Sequence, residues 1–212
     1  MTKTNVLILG AGGAIAQHVI HFLQKNDNIA LTLFARNVKQ LSEYKSSVKI
    51  IEGDVLKPNQ LNEAIKGQDI VYANLAGSVD KMAIEIVSTM NTQNVKRLIF
   101  VTSLGIYDEV PGKFGEWNKR MIGASLIPYK KAADIIESSN IDYTIIRPAW
   151  LTDNDEVNYN ITHKGEPFTA TEVSRKSVGA FIADLIENPK KEIKASVGIH
   201  KPNTEADKPA FY

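Results

Sequence analysis

Asn5-Val-Leu-Ile-Leu-Gly-Ala-Gly-Gly-Ala-Ile-Ala16 is the stretch that decides the fold of this chain. Its first half is a run of β-favouring apolar residues that stops at a glycine cluster, which predicts a buried strand. Beyond the cluster, apolar residues recur with the spacing of one helical face, at Ile15, Val19, Ile20 and Leu23. A strand, a glycine turn and a helix are therefore predicted. The positive end and the unpaired amides of that helix would face whatever lies over the turn, which is an arrangement suited to binding a phosphate.

The glycine pattern fits a dinucleotide-binding fingerprint incompletely. It matches G-x-x-G-x-x-G if Ala16 serves as the last small residue, whereas the G-x-G-x-x-G alignment fails at its last position, Ile15. The first glycine can make the turn, and the next two let the backbone approach an anion with no Cβ in the way. We predict dinucleotide binding, with a turn that only closes the packing of strand and helix as the alternative. The candidate contacts here are Gly10, Ala11, Gly12, Gly13, Ala14 and Ile15.

The bulk composition favours a small-molecule partner. The 25 Lys and Arg residues are matched by 24 Asp and Glu and are scattered evenly, so we predict no binding to nucleic acid or to membranes. The chain has no cysteine, which excludes disulfides, thiolate catalysis and Cys-ligated zinc. No apolar run approaches the ~18 residues of a membrane span, and the first strand begins too close to Met1 for a secretion signal. We therefore expect a cytoplasmic protein.

The rest of the chain alternates strand-like and helix-like segments. Apolar runs typical of strands occur at residues 30–35, 48–54, 69–73, 97–102 and 142–148. This alternation predicts an α/β fold of the Rossmann type, in which a doubly wound, mainly parallel sheet has helices on both faces. At about 100–200 residues per domain, we expect residues 1–212 to form a single NAD(P)-binding domain.

Two segments, at about residues 104–128 and 149–173, break this pattern. The first has aromatic and turn residues without a clean period, and Pro128 suits the first turn of the helix after it. Long irregular segments in compact domains are usually functional or disordered, and the aromatic rings argue against disorder. We expect both segments to form walls of a substrate cleft, and residues 201–212 to form a loosely held tail.

The tip of the second strand bears on the choice of cofactor. In dinucleotide-binding folds, a carboxylate at this tip binds the ribose 2′-hydroxyl of NAD, whereas an Arg accommodates the 2′-phosphate of NADP. Here Arg36 follows the strand, and residues 32–41 contain no Asp or Glu. We therefore predict that NADP(H) is preferred over NAD(H), with a solvated Arg36 that does not bind as the alternative.

The ends of the other strands supply further candidate contacts, because ligands of such folds bind at the carboxyl edge of the sheet. Asp54 could accept a hydrogen bond from the adenine amine, or it could only stabilise a turn. His18 and His21 lie one helical turn apart but have no third ligand nearby, so we predict no metal site. The candidate cofactor contacts outside the glycine turn are Arg36, Asp54, Val55, Ala76, Gly77 and Ser103.

The chain resembles the atypical short-chain dehydrogenases/reductases of the NmrA-like, NAD(P)H-binding type, a group that includes flavin and biliverdin reductases. The resemblance lies in residues 9–16, 53–55, 101–105, 142–148 and 174–178, which follow one another in the family's order. It implies a Rossmann core, a bound nicotinamide dinucleotide and a shallow cleft roofed by the segments after the fifth and sixth strands.

The chain departs from this family at the catalytic pair. Typical members carry Tyr-x-x-x-Lys on the helix after the fifth strand, where the Tyr exchanges a proton and the Lys lowers its pKa. Here Tyr129 is followed four residues later by Ala133. The remaining candidate donors are Ser103 and Tyr107, with Tyr129 and Lys131 as weaker ones. Ser103 could instead merely end a strand, and Tyr107 could be an ordinary loop aromatic.

Two functions remain open at this point. The first is an NADPH-dependent oxidoreductase that transfers hydride to a small conjugated acceptor such as a flavin or a quinone. Such an acceptor delocalises charge and can take its proton from water, so binding and orientation by the protein suffice. The alternative is a non-catalytic NADP(H)-binding sensor or regulator of the NmrA type. A homodimer is a possible assembly in either case.

Overall fold

The fold is described for residues 3–44 and 48–212 of a computed structural model. The strands are β1 (Thr4–Leu9), β2 (Ile29–Ala35), β3 (Lys49–Glu52), β4 (Ile70–Ala73), β5 (Arg97–Val101), β6 (Asp142–Pro148), β7 (Trp150–Thr152), β8 (Asn160–His163), β9 (Glu172–Ser174) and β10 (Ala195–His200). The helices are α1 (Ala14–Leu23), α2 (Pro58–Ile65), α3 (Val79–Thr92), α4 (Gly112–Glu137) and α5 (Arg175–Glu187), with a 3₁₀ helix at Lys39–Tyr44. None of the helices in these ranges is long and apolar enough to cross a bilayer.

The main sheet has the strand order β3-β2-β1-β4-β5-β6-β10-β8. Its neighbouring strands run parallel except for β8, which pairs antiparallel with β10 at one edge. Strand β1 lies between β2 and β4, with Leu9 opposite both Phe34 and Ala73. Strands β7 and β9 form a small second sheet. The predicted Rossmann-type, doubly wound and mainly parallel sheet is confirmed.

Helices cover both faces of the sheet because β1 buries side chains on both sides, as central parallel strands do. Val6 and Ile8 belong to the core with α1 and α5, whereas Leu7 and Leu9 belong to the core with α2, α3 and the second half of α4. Gly179 lets α5 approach α1 closely, since an added Cβ would lie 2.6 Å from the Cβ of His18. These two layers leave the carboxyl edge of the sheet open between them.

The prediction that a helix begins at Pro128 is wrong. Helix α4 begins at Gly112 and passes through Pro128, so most of the segment expected to be irregular is helical. A proline inside a helix leaves the carbonyl four residues earlier without its bond. That carbonyl belongs to Ala124, which is exposed. Water can therefore replace the missing partner.

A buried polar residue hides the first half of α4 in the sequence. Asn118 is only 2% exposed and lies on the same face as the buried Phe114, so the apolar period is interrupted by an amide. Asn118 is satisfied there because its Oδ1 accepts a hydrogen bond from Nε1 of Trp150 at 2.9 Å. Trp150 belongs to β7, outside the helix, so a helical pattern in the sequence could not reveal this contact.

The expectation of a loosely held tail at residues 201–212 is also wrong. The amide of Thr171 donates to the carbonyl of Thr204 at 3.2 Å, and the amide of Ala210 donates to Oε2 of Glu172 at 3.0 Å. The segment 149–173, expected to be irregular, contains β7, β8 and the start of β9. Strand β9 therefore anchors the tail along the open edge of the sheet.

Candidate functional site

Two adjoining cavities open at the carboxyl ends of the strands. The glycine cavity, of about 360 Å³, lies over Gly10–Gly13 and the ends of β2, β3 and β4. The aromatic cavity, of about 530 Å³, lies over the ends of β5 and β6. Asn74 and Leu75, just past β4, line both cavities, so the two form one continuous cleft. A cleft at this edge is where an open α/β sheet binds its ligand.

The glycine turn is shaped by close contacts that only glycine allows. Gly10 has a φ of +77°, and a Cβ on it would lie 2.1 Å from the carbonyl oxygen of Asn74. At Gly13 a Cβ would lie 2.1 Å from Nδ2 of Asn74, and at Gly12 it would lie 1.7 Å from Nε2 of Gln40. Two side-chain amides therefore lie directly over the turn. Neither Asn74 nor Gln40 is predicted from the sequence, because amide residues carry no distinctive spacing.

The start of α1 offers hydrogen-bond donors to the glycine cavity. The first amide bonded back along the helix is that of Gln17, which donates to the carbonyl of Gly13 at 3.0 Å. The amides of Ala14, Ile15 and Ala16 therefore have no hydrogen-bond acceptor within the helix. The N-cap, Gly13, has no side chain, and the first turn holds no acidic residue. No carboxylate of the first turn competes with a diphosphate for the positive end of the helix, but the side-chain amides of Gln40 and Asn74 lie over the turn and would have to move aside or donate to it. With that adjustment the residues present fit a dinucleotide.

Not every predicted residue of the turn faces the cavity. The amides of Gly10 and Ala11 donate to the carbonyl of Phe34 at 2.9 and 3.2 Å, and the side chain of Ala11 is fully buried. Both residues fix the turn to β2, and of the two only Gly10 also lines the glycine cavity. Ile15 lines the aromatic cavity rather than the glycine cavity, and Ala14 lines neither.

The end of β2 brings a cation to the glycine cavity. Arg36 is exposed and lines the cavity beside Asn37 and Gln40. Asp54 also lines it, but its Oδ1 accepts the amide of Leu56 at 3.0 Å, which is the turn role left open by the sequence. The cavity thus combines a glycine turn, an arginine and the apolar side chain of Val55, which is 4% exposed.

The structure brings together only some of the candidate residues at the ends of β4 and β5 and on α4. Ala76 lines the glycine cavity, whereas Gly77 lies in the turn before α3 with a φ of +90° and lines neither cavity. Ser103 and Tyr129 both line the aromatic cavity. The hydroxyl of Tyr129 donates to the carbonyl of Leu75 at 3.3 Å, and burial raises the pKa of this phenol. Tyr129 is therefore a protonated donor at neutral pH.

Tyr107 does not join Ser103 and Tyr129. Its hydroxyl donates to Oε1 of Glu137 at 2.8 Å, and burial raises its pKa. It lines neither cavity of the cleft and therefore lies apart from Ser103 and Tyr129. Lys131 faces a separate cavity of about 730 Å³ between the β5–α4 loop and α4.

A buried ion pair holds the loop that follows Ser103. Arg147, at the end of β6, is fully buried and bonds Oε1 of Glu109 at 2.5 Å. The same carboxylate accepts the amides of Gly105 and Tyr107 at 3.0 and 2.9 Å. The sequence could not reveal this pair, because its members lie 38 residues apart and belong to different elements.

Comparison with known proteins finds an NAD(P)H-binding family model and similar solved structures that cover most of this chain. A family model described as NAD(P)H-binding matches residues 10–189. A Rossmann-fold NAD(P)-binding family protein from Shigella flexneri is 48% identical, with 99% of both chains covered and a TM-score of 0.85. A short-chain dehydrogenase/reductase from Veillonella parvula, solved in complex with NADP, is 28% identical over 98% of this chain and 99% of that one, with a TM-score of 0.92.

A more distant relative has a named activity. The NAD(P)H azoreductase of Xenophilus azovorans is 22% identical over 152 residues, which are 70% of this chain and 49% of the azoreductase. The residues matched by the family model include the glycine turn and the ends of β2 to β6, which form the floor of both cavities.

Proposed function

Because the chain belongs to the NAD(P)H-binding family, we propose that it is an NADPH-dependent oxidoreductase that transfers hydride to a small conjugated acceptor such as a flavin or a quinone. The observation that carries this proposal is the continuous cleft, in which the glycine cavity with Arg36 meets the aromatic cavity with Ser103 and Tyr129 at Asn74 and Leu75. A dinucleotide laid over the glycine turn would bring its nicotinamide to that junction. The NADP complex of the Veillonella protein and the activity of the azoreductase support the same function.

The chain's own groups suit an acceptor that needs little proton chemistry. When bound, NADPH supplies a hydride, and a quinone or flavin that accepts it also takes up one proton. Tyr129 has no Lys four residues later to lower its pKa, and burial raises that pKa. On leaving the carbonyl of Leu75, its hydroxyl can donate a hydrogen bond to the acceptor rather than a full proton, and the hydroxyl of Ser103 can do the same. Water entering the open cleft supplies the proton.

Reduction of acceptors tests the function directly. We expect the protein to oxidise NADPH, measured by the loss of its near-ultraviolet absorbance, when a flavin or a quinone is present. The rate should exceed that of a protein-free mixture. Several flavins and quinones should be tried as acceptors. Saturable binding of NADPH without reduction of any of them would contradict the oxidoreductase and favour the non-catalytic sensor.

Arg36 provides the test of cofactor preference. We expect Arg36→Ala to weaken NADPH binding by ~10- to 150-fold, because a charge-assisted hydrogen bond to the 2′-phosphate contributes about 1.5–3 kcal/mol. The affinity for NADH, which lacks this phosphate, should stay within about twofold, since no charge-assisted bond is lost. Both affinities are measured by calorimetric titration.

The matched control for Arg36 is Lys39→Ala, which removes a nearby exposed cation that does not line the glycine cavity. It should leave both affinities unchanged. Equal losses of NADPH and NADH affinity in Arg36→Ala would show that Arg36 does not bind the 2′-phosphate.

A further inference from the structure

The tail places two aromatic rings at the mouth of the aromatic cavity. Phe211 and Tyr212 line this cavity together with Ser103, Tyr129 and Trp150. They reach it because the amide of the preceding Ala210 is bonded to the Glu172 carboxylate of β9. The tail therefore supplies a wall of the cavity.

The rings form a connected aromatic cluster around Tyr212. The centroid of the Tyr212 ring lies 5.1 Å from that of Trp117 on α4 and 5.0 Å from that of Trp150, with edge-to-face geometry in both pairs. The Trp117 and Trp150 centroids are 4.8 Å apart, and Phe211 lies 5.3 Å from Tyr212. Such distances are those of favourable aromatic pairs. The rings thus form one contiguous cluster and are not separate surface rings.

Part of the ring surface of this cluster is left exposed to solvent. Phe211 and Tyr212 remain 51% and 50% exposed, and Trp150 is partly exposed at the cavity. Exposed apolar surface gathered beside a cavity marks a binding surface. The open faces of these rings are the surface on which a planar ligand can stack.

The charge of the cavity restricts the ligand further. Among the described residues that line it, Arg175 alone is charged, and its guanidinium is bonded to Oδ1 of Asp153 at 2.7 Å. The walls therefore offer aromatic faces and hydroxyl donors without a net charge for an anion. A volume of about 530 Å³ accommodates a ring system of two or three fused rings.

We propose that Phe211 and Tyr212 form the outer wall of the acceptor site and select neutral, fused-ring quinones by stacking, with Tyr212 held in place by Trp117 and Trp150. This inference rests on the proposed oxidoreductase function. It names the acceptor class and the residues that determine specificity for it. Phe211 and Tyr212 are specificity residues, and they take no part in the transfer of hydride.

The test uses the full chain and a naphthoquinone as the probe. Trp117 and Trp150 are the only two tryptophans in the sequence, so quenching of tryptophan fluorescence reports binding at this wall without requiring turnover. Tyr212→Ala should weaken naphthoquinone binding about tenfold because the stacked ring is lost, whereas Tyr212→Phe should stay within about twofold of the wild type. Circular dichroism establishes that both variants are folded. NADPH affinity should be the same in all three proteins.

The outcomes separate this inference from the proposed function. An unchanged naphthoquinone affinity in Tyr212→Ala would overturn the inference. A tighter affinity would overturn it as well, because the ring of Tyr212 would then block the site. Failure of the wild type to bind naphthoquinone would overturn it as well. Quenching that Tyr212→Ala weakens, without any oxidation of NADPH, would support the wall and contradict the oxidoreductase. Oxidation of NADPH by naphthoquinone with the same KM for naphthoquinone in the wild type and in Tyr212→Ala would support the oxidoreductase and contradict the wall.

Discussion

Gly12→Ala should weaken NADPH binding about 100-fold while leaving the protein folded. The new Cβ would lie 1.7 Å from Nε2 of Gln40, which is the end of an exposed side chain and can move aside. The methyl group would remain over the turn, however, where the diphosphate must approach the amides at the start of α1. Loss of two charge-assisted hydrogen bonds, or one strong one, amounts to about 3 kcal/mol, which is a factor of about 100 in the dissociation constant.

Gly123→Ala is the matched control for this substitution. Gly123 lies inside α4, and its added Cβ would meet only Cγ of Lys119 at 3.5 Å, an ordinary contact. Alanine is favoured over glycine in a helix by about 1 kcal/mol, so the melting temperature should rise while NADPH affinity stays unchanged. A Gly12→Ala protein with wild-type affinity would contradict the assignment of the turn to the diphosphate.

Gly10→Ala is unsuitable for the same purpose. Its Cβ would lie 2.1 Å from the backbone oxygen of Asn74, and its φ of +77° is strained for alanine. The substitution would disturb the fold, and a loss of cofactor binding would then not identify the contact.

Glu109→Ala should lower the free energy of unfolding by about 3–5 kcal/mol, because it leaves the guanidinium of Arg147 buried without its carboxylate. Arg147 is fully buried, and the Glu109 side chain is only 5% exposed. The substitution also removes the acceptor for the amides of Gly105 and Tyr107. Urea denaturation of the wild type and the variant measures the difference.

Asp134→Ala is the control for the ion pair. Asp134 bonds Lys130 on the surface of α4, with the two side chains 53% and 42% exposed. Exposed pairs of this kind contribute about 0.5 kcal/mol or less. Equal losses of stability in Asp134→Ala and Glu109→Ala would contradict the structural role of the buried pair. The loop from Gly105 to Glu109 follows Ser103 closely, so Glu109→Ala should also disturb the acceptor side of the cleft.

The sequence predicts those parts of the fold that depend on local patterns. The run from Val6 to Leu9 is apolar at every position because β1 is buried on both faces, and the glycines that follow it are required by contacts at the turn. Ser174 stands directly before the apolar period of α5, as N-cap residues do, and its Oγ accepts the amide of Ser177 at 3.0 Å. Each of these signals is visible in a short run of neighbouring residues, although the contacts that require the glycines come from the distant Asn74 and Gln40.

The features that the sequence could not predict depend on contacts between distant residues. Asn118 is buried in α4 only because Trp150 is its partner, and Arg147 is buried at the end of β6 only because Glu109 neutralises it. Tyr212 also depends on a distant contact, because its ring lies in the cleft only where the tail is fixed along β9. Periodicity carries no information about such pairings, which is why the extent of α4, the tail and the outer wall of the cleft emerged from the structure alone.

The most direct measurement is a calorimetric titration of the wild-type protein with NADPH and with NADH. If the amides over the glycine turn bind the diphosphate and Arg36 binds the 2′-phosphate, NADPH should bind saturably, at least about tenfold more tightly than NADH. Absence of binding by either nucleotide at millimolar concentration would contradict the account.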